Sequence, residues 1–371
     1  MTKKDEIQEC LKNQIVASCF RGIVLSSVRS GKTRILITAI KEHSEGRIEN
    51  PKVLVLYPNI DIKNSWVDEC AKIGCPMEIT YCTFISMEKV MDGPWDYVVF
   101  DEAHLIPEEH KLPIAGQIAK KYNHVVFASG TYNKSTLADL KIHTELPLIV
   151  EYTTEQAIAD GLISNYTVYI HQYDLNPITP RQFGTGLKKW WSTDVKELAR
   201  LTKKVENTYG DKKMLASLSR MRFINTNESL LSNVVSWIID NSKKRFLIFT
   251  ENEVFGKRFK LPMYNSKSKD DSVLQDFISG KINHLCLIRK GSAGVTYPNL
   301  DNILITSINS NGENLEQMLG RALLLDTEHS NIHIFVTDKT FQLNWLESAL
   351  SNIDKSRITW VKQGKIVAQP K

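Results

Sequence analysis

The sequence predicts an α/β protein of two halves, each a parallel sheet flanked by helices. Three observations carry this. Short, often β-branched apolar runs recur along the chain, as in Gly22-Ile23-Val24-Leu25, Val53-Leu54-Val55-Leu56, Tyr97-Val98-Val99-Phe100 and Val125-Val126-Phe127, and such runs suit strands buried on both faces. Helix-like segments such as Thr33 to Glu42 and Asp61 to Ile73 lie between them, which is the alternation of a doubly wound sheet. The pattern pauses near Pro147 and then resumes.

The resumed strands are expected at Tyr166-Thr167-Val168-Tyr169-Ile170, Phe246-Leu247-Ile248-Phe249, His284 to Ile288, Asn302 to Ile305 and Ile332 to Val336. The division expected is residues 1–150 and 151–371, with a polar, helix-prone insert near 181–222 in the second half. A chain of 371 residues suits two domains, each long enough for its own core. No apolar run approaches a membrane span, and the start, Met1 to Glu6, has no apolar signal core. The expected setting is the cytoplasm (the host's, if a phage encodes the chain), without membrane contact. The cysteines are Cys10, Cys19, Cys70, Cys75, Cys82 and Cys286. Cys70, Cys75 and Cys82 have a spacing open to zinc, but reduced, mostly buried thiols are the simpler expectation.

The net charge of +5 is uneven. Residues 1–150 carry 18 Lys+Arg against 19 Asp+Glu, whereas residues 181–222 alone carry 11 against 4. That excess suits a polyanionic partner. The insert holds Lys188, Lys189, Lys196, Arg200, Lys203, Lys204, Lys212, Lys213, Arg220 and Arg222 with Phe183, Trp190 and Trp191. Cations that pair phosphates and aromatics that stack bases are one reading. A solvated helix whose tryptophans pack on the second half is the other.

The chemistry concentrates in two segments. Ser26-Ser27-Val28-Arg29-Ser30-Gly31-Lys32-Thr33 follows a strand and opens a helix, the context in which backbone N–H groups cradle phosphates. Lys32 would reach phosphate oxygens and Thr33 would bind Mg²⁺. About seventy residues on, the run Tyr97-Val98-Val99-Phe100 ends in Asp101-Glu102-Ala103-His104. There Asp101 would hold Mg²⁺, usually through water, and Glu102 would orient or deprotonate a water. Ser129-Gly130-Thr131 after the next strand would bring hydroxyls to the same edge.

In this order the segments resemble the superfamily 2 helicases and translocases of the DEAH-motif type, two-lobed RecA-like motors, with spacing closest to compact phage-type or RecG/UvsW-like DNA helicases. Asn13-Gln14 resembles the glutamine element that reads adenine. Val53 to Asn59, followed by Trp66, resembles a segment that touches nucleic-acid backbone, as does Thr83 to Met87. Phe246 to Thr250, Arg289 to Thr296 and Gln317-Met318-Leu319-Gly320-Arg321 resemble motifs IV, V and VI. The resemblance implies two RecA-like domains, ATP and Mg²⁺ as cofactors, and coupling of ATP hydrolysis to movement on nucleic acid. Catalysis would fall to Lys32, Asp101, Glu102, His104, Gln317 and Arg321, and nucleotide binding to Gln14, Ser30, Gly31, Lys32, Thr33 and Gly294. Nucleic acid would meet Pro58, Asn59, Thr83, Thr250 and Ser292, with Lys188, Lys189, Trp190 and Trp191 added by the insert.

Three positions depart from the family pattern. Leu324 stands where a second motif VI arginine is usual, leaving Arg321, with Arg289 as a stand-in. Arg29 replaces a small residue, and Thr296 stands where RNA-specific relatives carry an aspartate. The expected partner is DNA, single-stranded, forked or branched. RNA is the alternative substrate. A monomeric core is expected, and a weakly hydrolysing clamp that needs a protein partner is the alternative from another class.

Overall fold

A computed structural model describes residues 2–27, 30–58, 60–74, 77–107, 110–130, 132, 134–186, 188–265, 270–288, 297, 300–308, 329–338, 340–350 and 353–369. Packing divides the chain into two compact units, Met1–Ile163 and Ser164–Lys371. Among the described residues, no helix is long and apolar enough to cross a membrane.

The first unit runs α1 (Lys3–Ala17), β1 (Arg21–Ser26), α2 (Lys32–Ser44), β2 (Lys52–Tyr57), α3 (Ile60–Ile73), β3 (Glu78–Thr83), β4 (Tyr97–Asp101), α4 (Leu112–Lys121), β5 (Val125–Ser129), α5 (Lys134–Thr144), β6 (Leu148–Tyr152) and α6 (Thr154–Ala159). Its six strands are all parallel, in the order β3-β2-β4-β5-β1-β6. Every residue of β4 and β5 is buried, as expected of strands covered by helices on both faces. Phe100 and Phe127 sit opposite one another in this pairing, their rings stacked 4.1 Å apart. Such a contact adds about 0.5–1.5 kcal/mol beyond burial and favours this register. Thr2 and Asp5 form a capping box that starts α1, satisfying two of its orphan N–H groups.

The second unit continues with β7 (Asn165–Tyr173), β8 (Arg181–Thr185), β9 (Lys188–Ser192), α7 (Asp194–Glu206), α8 (Gly210–Ile224), α9 (Glu228–Asp240), β10 (Phe246–Thr250), α10 (Glu253–Lys257), β11 (Met263–Asn265), α11 (Ser272–Ile278), β12 (His284–Ile288), β13 (Asn302–Ile305), β14 (His329–Thr337), α12 (Thr340–Ala349), β15 (Ile358–Lys362) and β16 (Lys365–Val367). Its sheet order is β11-β12-β10-β13-β14-β7-β15-β16, parallel except for the closing β15–β16 hairpin. Both units are therefore helix-flanked parallel sheets, as the alternation of runs predicts.

The insert is helical as expected over α7 and α8, but not in its first part. Arg181–Thr185 and Lys188–Ser192 form a separate two-stranded antiparallel sheet, and only then do α7 and α8 follow. The aromatic alternation explains this: Phe183 pairs with Trp190 on one face and Gln182 with Trp191 on the other, a pattern of period two rather than 3.6. The cysteines are corrected too, since Cys10 and Cys19 are exposed and only Cys286 is fully buried among the described ones.

Two imidazoles in the second core carry a pH dependence. His171 on β7 and His333 on β14 share a hydrogen bond of 2.9 Å, and Trp237, Tyr169 and Phe335 rings surround them. Burial pushes His171 down to about 4. Burial, then His171 and Lys244, push His333 well below its ordinary value. An unfolded chain protonates both near pH 6.5, so between pH 6.5 and about 4 the unfolded state binds more protons and stability falls as pH falls. Urea unfolding followed across that window should show a loss of up to about 1.4 kcal/mol per pH unit for each imidazole. The double variant His171→Asn, His333→Asn should flatten it, and equal slopes in wild type and variant would contradict the assignment.

Candidate nucleotide site

The C-terminal ends of β1, β5 and β4 assemble the site, at the sheet edge where parallel α/β proteins bind ligands. β5 lies between β1 and β4, with Ser129 level with Leu25 and Ala128 level with Asp101. Two strand spacings, roughly 9.5 Å, therefore separate the phosphate-loop strand from the carboxylate strand. Lys32 crosses that gap from the first turn of α2. Its ammonium lies 3.0 Å from Asp101 Oδ1 and 2.6 Å from Glu102 Oε1, with only 13% of the side chain exposed.

Each carboxylate is fixed by further donors. Trp66 on α3 is fully buried, and its indole N–H donates to Asp101 Oδ2 at 2.9 Å. The backbone N–H of Glu102 donates to Asp101 Oδ1 at 3.0 Å. Glu102 itself sits in the left-handed region, with φ of 53°, a conformation that costs a non-glycine residue energy and concentrates at functional sites. His104 lies on the turn that follows. Its Nδ1 is 2.6 Å from Ser129 Oγ and 3.5 Å from Glu102 Oε2. The Asp101–His104 segment and the Ser129 segment are thus joined through one imidazole.

The electrostatics follow from this packing. Burial would raise the Glu102 carboxyl, but Lys32, His104 and the Gly130 N–H together hold it below the usual carboxylate range. Burial would lower the Lys32 ammonium, but Asp101 and Glu102 hold it above the usual lysine range. Both groups are charged at neutral pH. Burial, with Glu102 and Asp101 nearby, raises the Tyr132 phenol well above its ordinary value, so it stays neutral and donates to Phe127 O at 3.2 Å.

The phosphate loop is shaped by small side chains. Ser26, standing where a glycine is common, places its hydroxyl 2.7 Å from that of Ser30, and both residues are buried. Gly31 has φ of +87° and packs against Gln8, where a Cβ would come within 2.1 Å of Nε2. The left-handed φ favours glycine, and any side chain would also displace the Gln8 amide. Gln8 Nε2 donates to Ser30 O at 2.7 Å, tying α1 to the loop. A polar groove of about 420 Å³ opens beside it, lined by Asp5, Gln8, Glu9, Lys12, Arg34, Thr38, Lys41, Glu42 and Glu45.

This placement corrects one expectation, that for Trp66, and adds Gln8 beside Gln14 on α1. Gln14 does not reach the loop: it is exposed, and its amide meets Cys10 Sγ at 3.8 Å. Six residues at 100° each put it roughly 240° round the helix from Gln8, so the facing glutamine is Gln8. Trp66 is no nucleic-acid contact, because it is buried under Asp101. A lone tryptophan on an amphipathic helix carries no sequence signal that separates these roles.

Pro58 and Thr83 do come together, since Tyr57 and Thr83 pair at the ends of β2 and β3. Thr250 ends β10 opposite Ile288 and is buried, its Oγ1 3.5 Å from Asn252 N. In the insert, Trp190 turns inward: its indole N–H donates to buried Glu197 at 3.0 Å, under the Arg200 guanidinium. Trp191 is 70% exposed, with exposed Lys188 and Lys189 alongside. Asn59, Thr131, Gly294, Ser292, Gln317 and Arg321 lie outside the described residues, as do Arg29, Arg289, Thr296 and Leu324.

The donor set suits Mg²⁺. Among the described residues, no three His, Cys, Asp or Glu side chains group into a metal cage. Thr33 and Asp101 offer only a hydroxyl and a carboxylate, and Mg²⁺ takes few protein ligands alongside waters and phosphate oxygens.

No family model matches the sequence, and no curated protein does. Solved structures do match. Saccharomyces cerevisiae Dbp5 bound to RNA and ADP BeF3 is similar at 11% identity with a TM-score of 0.60, over 96% of this chain and 89% of that one. The ATP-dependent Type ISP restriction-modification enzyme LlaBIII bound to DNA is similar at 13% identity with a TM-score of 0.64, over 96% of this chain but 31% of that one. At such identities the likeness is one of fold. Across nearly its whole length, the chain has the two-domain RecA-like fold.

Proposed function

We propose that this chain is an ATP-dependent nucleic-acid motor, a helicase or translocase that acts on DNA. The observation that carries the reading is the meeting of Lys32 with Asp101 and Glu102 across β5. A phosphate-loop lysine and two strand-end carboxylates, one for the metal and one for the water, are parts that phosphoryl transfer to water uses. Mg²⁺, held by Thr33 and Asp101, would supply charge neutralisation at the phosphates. Lys32 would give its charge to phosphate oxygens in exchange for the carboxylates. Glu102, kept ionised, would then orient the attacking water. His104 and Ser129 would relay changes around Glu102 into β5. Gln317, Arg321 and Gly294 complete the nucleotide site in this proposal, with Arg321 as the charge-stabilising finger.

DNA is favoured over RNA by the motif spacing and by Thr296, where RNA-specific relatives carry an aspartate. The fold is compatible with either: the similar structures include one bound to RNA and one bound to DNA. The proposed track includes Pro58, Asn59, Thr83 and Ser292, with Lys188, Lys189 and Trp191 of the β8–β9 hairpin; Thr250 is excluded because it is buried at the end of β10. Trp190 is left out of it because it is packed on α7.

Steady-state hydrolysis should be measured with single-stranded DNA, duplex, fork and RNA. Stimulation greatest on DNA forks is expected. Glu102→Gln should lower turnover about 10²- to 10⁴-fold, the range of general acid–base assistance, while retaining nucleotide binding. Wild-type turnover in that variant would sink the reading, and stimulation by RNA alone would reassign the substrate. A second comparison tests the loop anchor. Gln8→Ala should weaken ATP binding while Gln14→Ala leaves it unchanged, and the reverse pattern would return the role to Gln14.

A further inference from the structure

The α7–α8 pair forms a helical hairpin whose connection is only residues 207–209. It is built on buried Leu198, Leu201, Val205 and Ala216. Its tip combines exposed apolar and basic side chains. Tyr209 is 83% exposed, and Met214 and Leu215 are 59% exposed each. Lys203 and Lys204 lie in the last turn of α7, Lys212 and Lys213 in the first turn of α8, and all four are exposed. None of the four forms an ion pair among the described residues, while Glu206 and Asp211 are the only acids nearby in sequence. The insert's other two acids, Asp194 and Glu197, are buried and committed to Arg181, Ser229, Trp190 and Arg200. Glu206 and Asp211 offset the four tip lysines only in part, so the tip keeps a net positive charge.

This tip also forgoes helix stability. α7, α9 and α10 begin on Thr193, Asn227 and Asn252, whose side chains accept cap bonds. α8 begins on Tyr209, which makes none, as is also true of α2, α4 and α11, and a good cap is worth about 1 kcal/mol. Lys212 and Lys213 face the positive end of the α8 dipole, the end that disfavours cations. Packing does not explain an exposed tyrosine amid lysines, and local choices that oppose the fold mark functional positions.

We propose that this tip binds single-stranded nucleic acid, with Tyr209 stacked on an unpaired base and Lys203, Lys204, Lys212 and Lys213 on the flanking phosphates. An aromatic face among cations is the chemistry of sequence-tolerant single-strand binding. A protein partner fits less well, because lysines are depleted from the cores of protein interfaces. The proposal rests on the motor reading for its kind of ligand, and adds a contact outside the motor motifs.

The test uses the full chain and fluorescein-labelled oligothymidine, read by anisotropy across a KCl series. Tyr209→Ala should weaken binding roughly 5- to 150-fold, the measured range for one stacked base, with an unchanged salt slope. Tyr209→Phe should bind as wild type. Replacing the four lysines by alanine should lower the slope of log K against log salt by about 0.7 for each phosphate no longer neutralised. A 2-aminopurine reporter in the oligomer should be quenched by wild type and Tyr209→Phe but not by Tyr209→Ala. Circular dichroism melting checks that each variant is folded. If wild type binds but neither Tyr209→Ala nor the lysine variant alters affinity or slope, the proposal falls. If wild type binds no oligonucleotide, the motor reading falls with it.

Discussion

A single ammonium group bridges two adjacent carboxylates at the edge of the first sheet, and much of that unit is arranged around this contact. Lys32 comes from a helix after β1, and Asp101 and Glu102 from the end of β4. A buried charge of either sign alone is costly, and truncating one partner of such a set typically costs about 3–5 kcal/mol. The chain satisfies the group with Trp66 beneath Asp101, His104 beside Glu102 and the Gly130 N–H on the Glu102 carboxylate. The same property suits the site to phosphate. A lysine held by carboxylates is charged and already placed at the sheet edge.

The geometry depends on strand order as much as on the residues. Because β5 intervenes between β1 and β4, the phosphate loop and the carboxylates face each other across a space wide enough for a side chain. The intervening strand brings Ser129 to the middle of that space, where it meets His104. The Phe100–Phe127 stack favours the register on which this depends. A slip of one residue would turn the strand's side chains to the opposite faces and uncouple the site.

Much of this was legible in the sequence. Runs such as Val98-Val99-Phe100 leave little choice but a buried parallel strand, and Ser30-Gly31-Lys32-Thr33 with Asp101-Glu102 names the charge partners before any contact is seen. What escaped depends on helix phase and burial. Gln8 and Gln14 share one helix, and only its azimuth against the loop selects Gln8. Trp66 looks the same in sequence whether it touches solvent or an aspartate. The adjacent tryptophans of the insert take opposite fates because a strand, not a helix, carries them: Trp190 packs inward and Trp191 faces out. Tyr209 was hidden for another reason. Its oddity is an exposed cap position without a cap bond, which is visible only once α8 is in place.

The central claim is that Lys32 exchanges its carboxylate partners for nucleotide phosphates. Equilibrium titration of a fluorescent ATP analogue, with and without Mg²⁺, into the wild-type chain and into Lys32→Ala tests it most directly. The account predicts saturable, Mg²⁺-dependent binding by wild type and its near-complete loss in the variant, with the variant still folded by circular dichroism. Equal affinity in the two proteins would contradict the account.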